Sequence, residues 1–324
     1  MHDFTAFHCI IHQQNLCAKS LKFDHVMKKV VSTINFIKSR ALNHRQFQQF
    51  LEDVEAECGD LIYYCEVRWL SKGKMLKRFY DLRDEIATFM DMKGKIIPEL
   101  SDDNWVRDLA FLVDLTMHFN DLNTKLQGQG QFVHHLYSHV KTFQSKLQLW
   151  EKQLRNDNTF HFPTLAGCGK SKCAPYADEL ISMNEEFDQR FQDFRSQESS
   201  LHMFSSPFDV NVEQAPEEFQ MELIELQGND DLKQDMKDYS LLEFYKRLPE
   251  ESFPKIKDLA RKKMSLFGST YICEQLFTKM KHTKSKTRSR LTDCHLENSL
   301  RVAASSIAPK IDTLVKKHQA QISH

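Results

Sequence analysis

Turn-forming residues are scarce in this 324-residue chain, which holds 9 glycines and 8 prolines, about one residue in twenty and roughly half the usual share. Such a chain is expected to be mostly helical, and many-stranded sandwiches and barrels, which need frequent turns, are excluded. Long apolar runs are missing as well. The longest, around Leu109 to Val113, falls far short of the roughly 20 residues of a membrane helix, and no apolar leader segment follows Met1. No membrane partner is expected. An excess of one charge is also lacking: 44 basic and 45 acidic residues leave a formal charge of −1. That excludes a globally basic nucleic-acid binder and leaves room for a local basic patch. The eight cysteines are scattered over the length. In a long chain without a leader they read as reduced thiols of a nuclear or, alternatively, cytoplasmic protein.

What is present supports a core of some size. Apolar residues make up 41% of the chain, with 24 phenylalanines, enough for one large domain or two ordinary ones. Apolar residues at helical spacing predict helices over 7–22, 23–39, 71–92, 103–123, 129–155, 176–200, 238–247, 254–265, 269–282 and 292–317. Asn43 and Gln46 read as the capping box of a helix ending near residue 57. One segment differs. Residues 61–69, Leu-Ile-Tyr-Tyr-Cys-Glu-Val-Arg-Trp, are β-branched and aromatic and form the best predicted strand. Residues 156–175 and 203–216 read as loops, and the acid-rich stretch from Glu213 to Asp235 reads as a solvated helix face and turn.

Several short patterns carry chemistry elsewhere. Gly167-Cys168-Gly169-Lys170-Ser171 is half of a phosphate-binding loop, but Thr164 stands where the leading glycine belongs and no strand precedes it. Cys168 with Cys173, and His135 with His139, are isolated pairs, and a zinc site needs four ligands. No metal and no cofactor are expected. Lys279, Lys281, Lys284, Lys286, Arg288 and Arg290 lie within twelve residues that contain no acid. They suit either salt-dependent, sequence-blind phosphate binding or a solvated helix end, and both readings stay open. No small-molecule substrate is indicated.

Taken in order, some of these pieces resemble the C-terminal portion of hAT-superfamily transposases, and most of all their domesticated branch in II-I repeat, zinc finger BED-type and FAM200-type proteins. Phe7-His8-Cys9-Ile10-Ile11-His12-Gln13-Gln14 resembles the family's CxxH segment, carried by Cys9 and His12. Val67-Arg68-Trp69-Leu70-Ser71 resembles its strand-to-helix motif, carried by Arg68 and Trp69. Arg107 to Asp114 and Phe204 to Phe208 resemble its helical insertion, and Phe267 to Phe277 its dimerisation segment.

The resemblance implies a mainly α-helical chain: a truncated RNase H-like remnant around a large helical insertion, closed by C-terminal dimerisation helices. The corresponding division is 1–94, 95–235 and 236–324. Active members hold two metal ions with three carboxylates. Glu274 falls where the last of these lies, as a vestige, and the first two are expected to precede the CxxH segment, where only eleven residues stand before His12. A fragment, a truncated gene model and a shortened domesticated copy all fit. The function implied is a catalytically inactive, transposase-derived nuclear protein that associates with itself or with protein partners, in transcription-related complexes. Phe267, Tyr271, Ile272, Leu276, Phe277, Leu296 and Leu300, with Leu266 and Val302, would form the dimer or packing surface. DNA binding through the 279–290 run is the alternative, and residual metal-dependent nuclease activity a remote one.

Overall fold

Helices account for all the regular structure described. The computed structural model describes residues 8–305 and 310, apart from 57, 64–68, 129, 170–171, 267–270 and 285–289, and the side chains of 69–71, 271–275 and 304 also lie outside it. In chain order come α1 (Ile10–Lys19), α2 (Asp24–Lys38), α3 (Ala41–Asp53), α4 (Trp69–Asp81), α5 (Arg83–Met92) and α6 (Asp103–Leu126). After these come α7 (Val133–Arg155), the short α8 (Pro163–Ala166), α9 (Ala174–Arg190), α10 (Gln192–Ser196) and α11 (Glu198–Ser205). The last are α12 (Glu217–Gln227), α13 (Asp230–Asp238), α14 (Leu241–Arg247), α15 (Pro254–Met264), α16 (Tyr271–Thr283) and α17 (Asp293–Ala304). Two compact units divide the chain at residues 269 and 270.

In the first unit α6 is the hub. Pro98 opens a 3-10 turn, and the Asp102 carboxylate accepts the Asn104 amide at 2.9 Å, capping the first turn of α6. Leu109, Ala110, Phe111, Leu112, Val113 and Leu115 are all buried. A helix apolar on every side must be surrounded, and α1, α2, α4, α7 and α8 pack against it. Gly73 of α4 lies close against α6, where a Cβ would run into the Asn120 side chain. On α7 the buried residues Val133, Leu136, Val140, Phe143, Leu147, Trp150 and Leu154 alternate by three and four. That spacing keeps one apolar stripe along the helix, and the stripe meets α9 through Leu180, Met183 and Phe187.

A separate apolar cluster holds the end of this unit. Phe204, Leu223, Leu226, Phe244, Tyr245 and Ile256 join α11, α12, α14 and α15, and the Tyr245 hydroxyl donates to the Phe204 carbonyl at 2.7 Å. The acid-rich stretch is not merely a solvated face. The Glu222 carboxylate accepts the Lys255 and Ile256 amides at 3.1 and 2.9 Å and so caps α15 from a neighbouring helix.

The mainly α expectation holds, and several local ones change. Leu61, Ile62 and Tyr63 lie in no regular element and Trp69 opens a helix, so the predicted strand has no described residue in a ladder; 64–68 lie outside the described residues. Asn43 sits inside α3 and donates to the Phe36 carbonyl at 3.1 Å, which ties α3 to the end of α2 instead of capping. The helix predicted over 71–92 breaks at Leu82, and the one over 176–200 at Phe191 and Gln197. α17 stops at Ala304, where Ser305 turns extended; residues 306–309 and 311–317 of the helix expected over 292–317 lie outside the described residues.

Candidate functional site

The most elaborate polar arrangement is the seat of the 156–175 loop on α6. Asp114, buried among apolar neighbours, accepts the Thr164 and Leu165 amides at 3.2 and 3.0 Å. It thereby caps α8 across the fold. Burial pushes its carboxyl above the usual range, and the amide hydrogen bonds pull against that. One turn on, His118 Nε2 donates to the His161 carbonyl at 2.9 Å, and the ring stacks on Trp150 at 4.1 Å. Two turns before Asp114, the Arg107 guanidinium donates to the Gly169 carbonyl at 2.9 Å. Asp108 receives the Tyr176 hydroxyl at 2.8 Å and His25 Nε2 at 2.9 Å. Asp114, His118 and Arg107 therefore serve as clasps for a loop that has almost no regular structure of its own, while Asp108 ties α6 to α9 and α2.

This arrangement engages the backbone of the described part of the glycine-rich segment. The amides of Gly167, Cys168 and Gly169 donate to the carbonyls of Pro163, Leu165 and Ala166, so none of the three is turned outward to a phosphate. Gly169 has φ +83°, a conformation that favours glycine. Lys170 and Ser171 lie outside the described residues. Cys168 Sγ lies 3.3 Å from the Tyr80 hydroxyl, and Cys173 lies against Arg107. His135 Nδ1 accepts the Phe132 amide at the start of α7, and His139 sits one turn later on a separate groove with His118. Among the described residues no three His, Cys, Asp or Glu side chains gather as a metal site.

The other sequence candidates are placed as follows. Cys9 precedes α1 and is half-buried, while His12 is exposed on the first turn. The buried members of that segment are Ile10, Ile11, Gln13 and Gln14, and Gln14 Oε1 accepts the Asn123 side chain at 2.8 Å. Arg68 lies outside the described residues, and Trp69 is the first residue of α4. Phe267 also lies outside them. Tyr271, Ile272 and Glu274 belong to α16.

In the second unit α16 and α17 pack on each other. Lys279 Nζ donates to the Ala303 carbonyl at 2.8 Å and Lys284 Nζ to Asp293 at 3.1 Å. Two cations of the basic run thus hold the helix pair. Lys281 and Arg290 are exposed, and Lys286 and Arg288 lie outside the described residues. Leu296 and Leu300 are half-buried and Leu276 is exposed. Phe277 and Val302 are 57% and 67% exposed. Leu266, at the end of the first unit, is half-buried. The clasps on α6 escaped the sequence reading although their signal was present: Arg107 and Asp114 bracket an apolar run in which a charge needs a partner.

Residues 8–155, from the approach to α1 through α7, match the model of the FAM200/GTF2IRD2 helical domain. The chain is 44% identical over 303 residues to the Bos taurus General transcription factor II-I repeat domain-containing protein 2, covering 93% of this chain and 32% of that protein. It is 41% identical over 288 residues to the Mus musculus protein of the same name, covering 88% of this chain and 31% of that one. The chain therefore spans about a third of the length of these relatives. No solved structure matches it. No described helix is long and apolar enough to cross a membrane. By these matches the chain is a domesticated, transposase-derived relative of those proteins, and its residues 8–155 are similar to the FAM200/GTF2IRD2 helical domain.

Proposed function

We propose that this chain works by protein association through its C-terminal helix pair, in the nucleus and in transcription-related complexes, and does not carry out phosphodiester chemistry. The observation that carries this reading is the surface of α16 and α17. Leu276, Phe277 and Val302 stand exposed on a pair whose own packing is already tied by Lys279 and Lys284. Large apolar side chains left in water mark a surface that gains by being covered. Glu274 falls in the same helix, and a single carboxylate of a two-metal set does not assemble that site. The name of the relatives, which are transcription-factor-repeat proteins, supports the transcriptional and nuclear setting. The RNase H-like ancestry of 1–94 and 236–324 around a helical 95–235 is part of the same proposal.

The test is light scattering on the intact chain and on the Leu276→Asp, Phe277→Asp variant, each repeated with a labelled duplex followed by anisotropy. The proposal expects association weakened about tenfold or more in the variant, in line with losing two buried apolar anchors, and little response from the duplex. Equal association of the two proteins would overturn it. Duplex binding that falls steeply with salt, and is lost on reversing Lys281 and Arg290, would replace it with the phosphate-binding alternative.

A further inference from the structure

Two other exposed surfaces, both in the first unit, match each other in shape of charge. The first gathers where α2, α3 and α5 end or begin. Phe36 on α2 lies beneath two cations, Arg40 at 5.8 Å and Lys95 at 4.9 Å from its ring centroid. Lys93 reaches across to the Gln46 side chain of α3 and covers the Phe89 ring at 5.2 Å. Around these cations stand exposed aliphatic side chains: Leu42, one turn before Gln46 on α3, Met92 at the end of α5, and Ile96, 72% exposed in the turn that follows. Helix-forming sequence explains the cations as a solvated helix end. It does not explain three large aliphatic side chains in water beside them.

The second surface is the outward face of α12. Leu223 and Leu226 point into the apolar cluster and Glu222 is spent on capping α15. The opposite face carries Met221, 68% exposed, and Ile224, also exposed, three residues apart and so side by side on one turn. Glu217, Glu218 and Glu225 flank them, all exposed. The first surface is apolar with a mainly cationic rim, Arg40, Lys93 and Lys95 against the exposed Asp91, and the second is apolar with a mainly anionic rim, Glu217, Glu218 and Glu225 against Lys255, whose Nζ donates to the Glu218 carbonyl.

We propose that these two surfaces bind one another between copies of the chain, the α12 face of one copy seated on the Leu42, Met92 and Ile96 surface of the next. Both partners are large exposed apolar groups whose burial would be favourable. Their rims are of opposite sign, which fixes orientation and discourages like surfaces from pairing. Because the two patches differ, the contact is head-to-tail. The proposal rests on the self-association part of the reading above but uses a different surface, so the two can fail separately.

The experiment is sedimentation velocity on the intact chain over a range of concentrations, with three variants. Lys93→Glu with Lys95→Glu reverses the first rim. Glu217→Lys with Glu225→Lys reverses the second. The third variant carries all four changes. Each single reversal is expected to weaken association about tenfold through like-charge rims. The mixture of the two reversals, and the fourfold variant alone, are expected to regain it. Circular dichroism on each variant checks that the helices persist. Regain cannot come from a merely misfolded variant. If both reversals associate as the unmodified chain does, or if the mixture and the fourfold variant stay weak, the head-to-tail contact is overturned. If only Leu276→Asp, Phe277→Asp abolishes association, the helix-pair reading stands and this one falls.

Discussion

At the scale of single residues, the polar side chains inside the first unit are either clasps or liabilities. Asp114, Arg107 and His118 are clasps, each with a backbone partner on the loop they hold. His134 is a liability. Its Nδ1 is buried with no hydrogen-bond partner among the described residues, and its ring lies 3.9 Å from His135 and 5.2 Å from Phe204. Burial, with a smaller contribution from His135, lowers its pKa to about 4. The sign follows from linkage. A histidine whose folded pKa lies below its unfolded value of about 6.5 stays neutral in the fold while the unfolded chain takes up a proton. Stability is therefore lost as pH falls from about 6.5 toward 4. Urea unfolding at pH 7 and pH 5 measures this. His134→Leu should lose less stability between the two than the unmodified chain, and an unchanged pH difference would rule out His134 as a source. His135 and His139 are lowered in the same direction, so the variant reduces the slope without flattening it.

At the scale of elements, close packing decides what each helix tolerates. Gly73 lets α4 approach α6, with the Asn120 Cγ at 3.3 Å and the Thr116 carbonyl at 3.4 Å from where a Cβ would sit. Gly73→Leu should therefore destabilise the fold by about 1–3 kcal/mol, the range for overpacking a tight contact. The better helix propensity of leucine works against this by up to about 1 kcal/mol. A denaturation midpoint equal to or above that of the unmodified chain would show that the two helices can separate cheaply. The same scale shows what the sequence conveys and what it hides. Helix existence was legible in α2, α6 and α7, because long periodic apolar faces meet a single solution. The breaks at Leu82, Phe191 and Gln197 were not, since no glycine or proline marks them and neighbouring helices set the turn. The strand expected over 61–69 rested on β-branched and aromatic composition. Yet Leu61 is buried without a ladder, next to Asp60, whose burial is outweighed by hydrogen bonds from Lys38 and His44 that hold its carboxyl below the usual range. Side-chain packing and ion pairing thus hold Asp60 and Leu61 beside α2 and α3.

At the scale of the whole molecule, the chain is helical in all its described regular structure and spans about a third of the relatives it matches. The C-terminal pair, the cation-rimmed surface beside α5 and the acid-rimmed face of α12 each leave large apolar side chains in water. Three such surfaces on one chain are the common ground of the functional reading. The C-terminal one was implied by the family resemblance; the other two were not visible from periodicity, because Met221, Ile224 and Ile96 fit a helix or a turn as well exposed as buried. The α6 clasps, by contrast, need no partner beyond the chain itself. The central claim is that this protein acts by association. Sedimentation equilibrium of the intact, unmodified chain over a wide concentration range tests it most directly. The account predicts a weight-average mass above that of one chain at high concentration, falling toward one chain on dilution. A mass of one chain at every concentration, at low and at physiological salt, would contradict it.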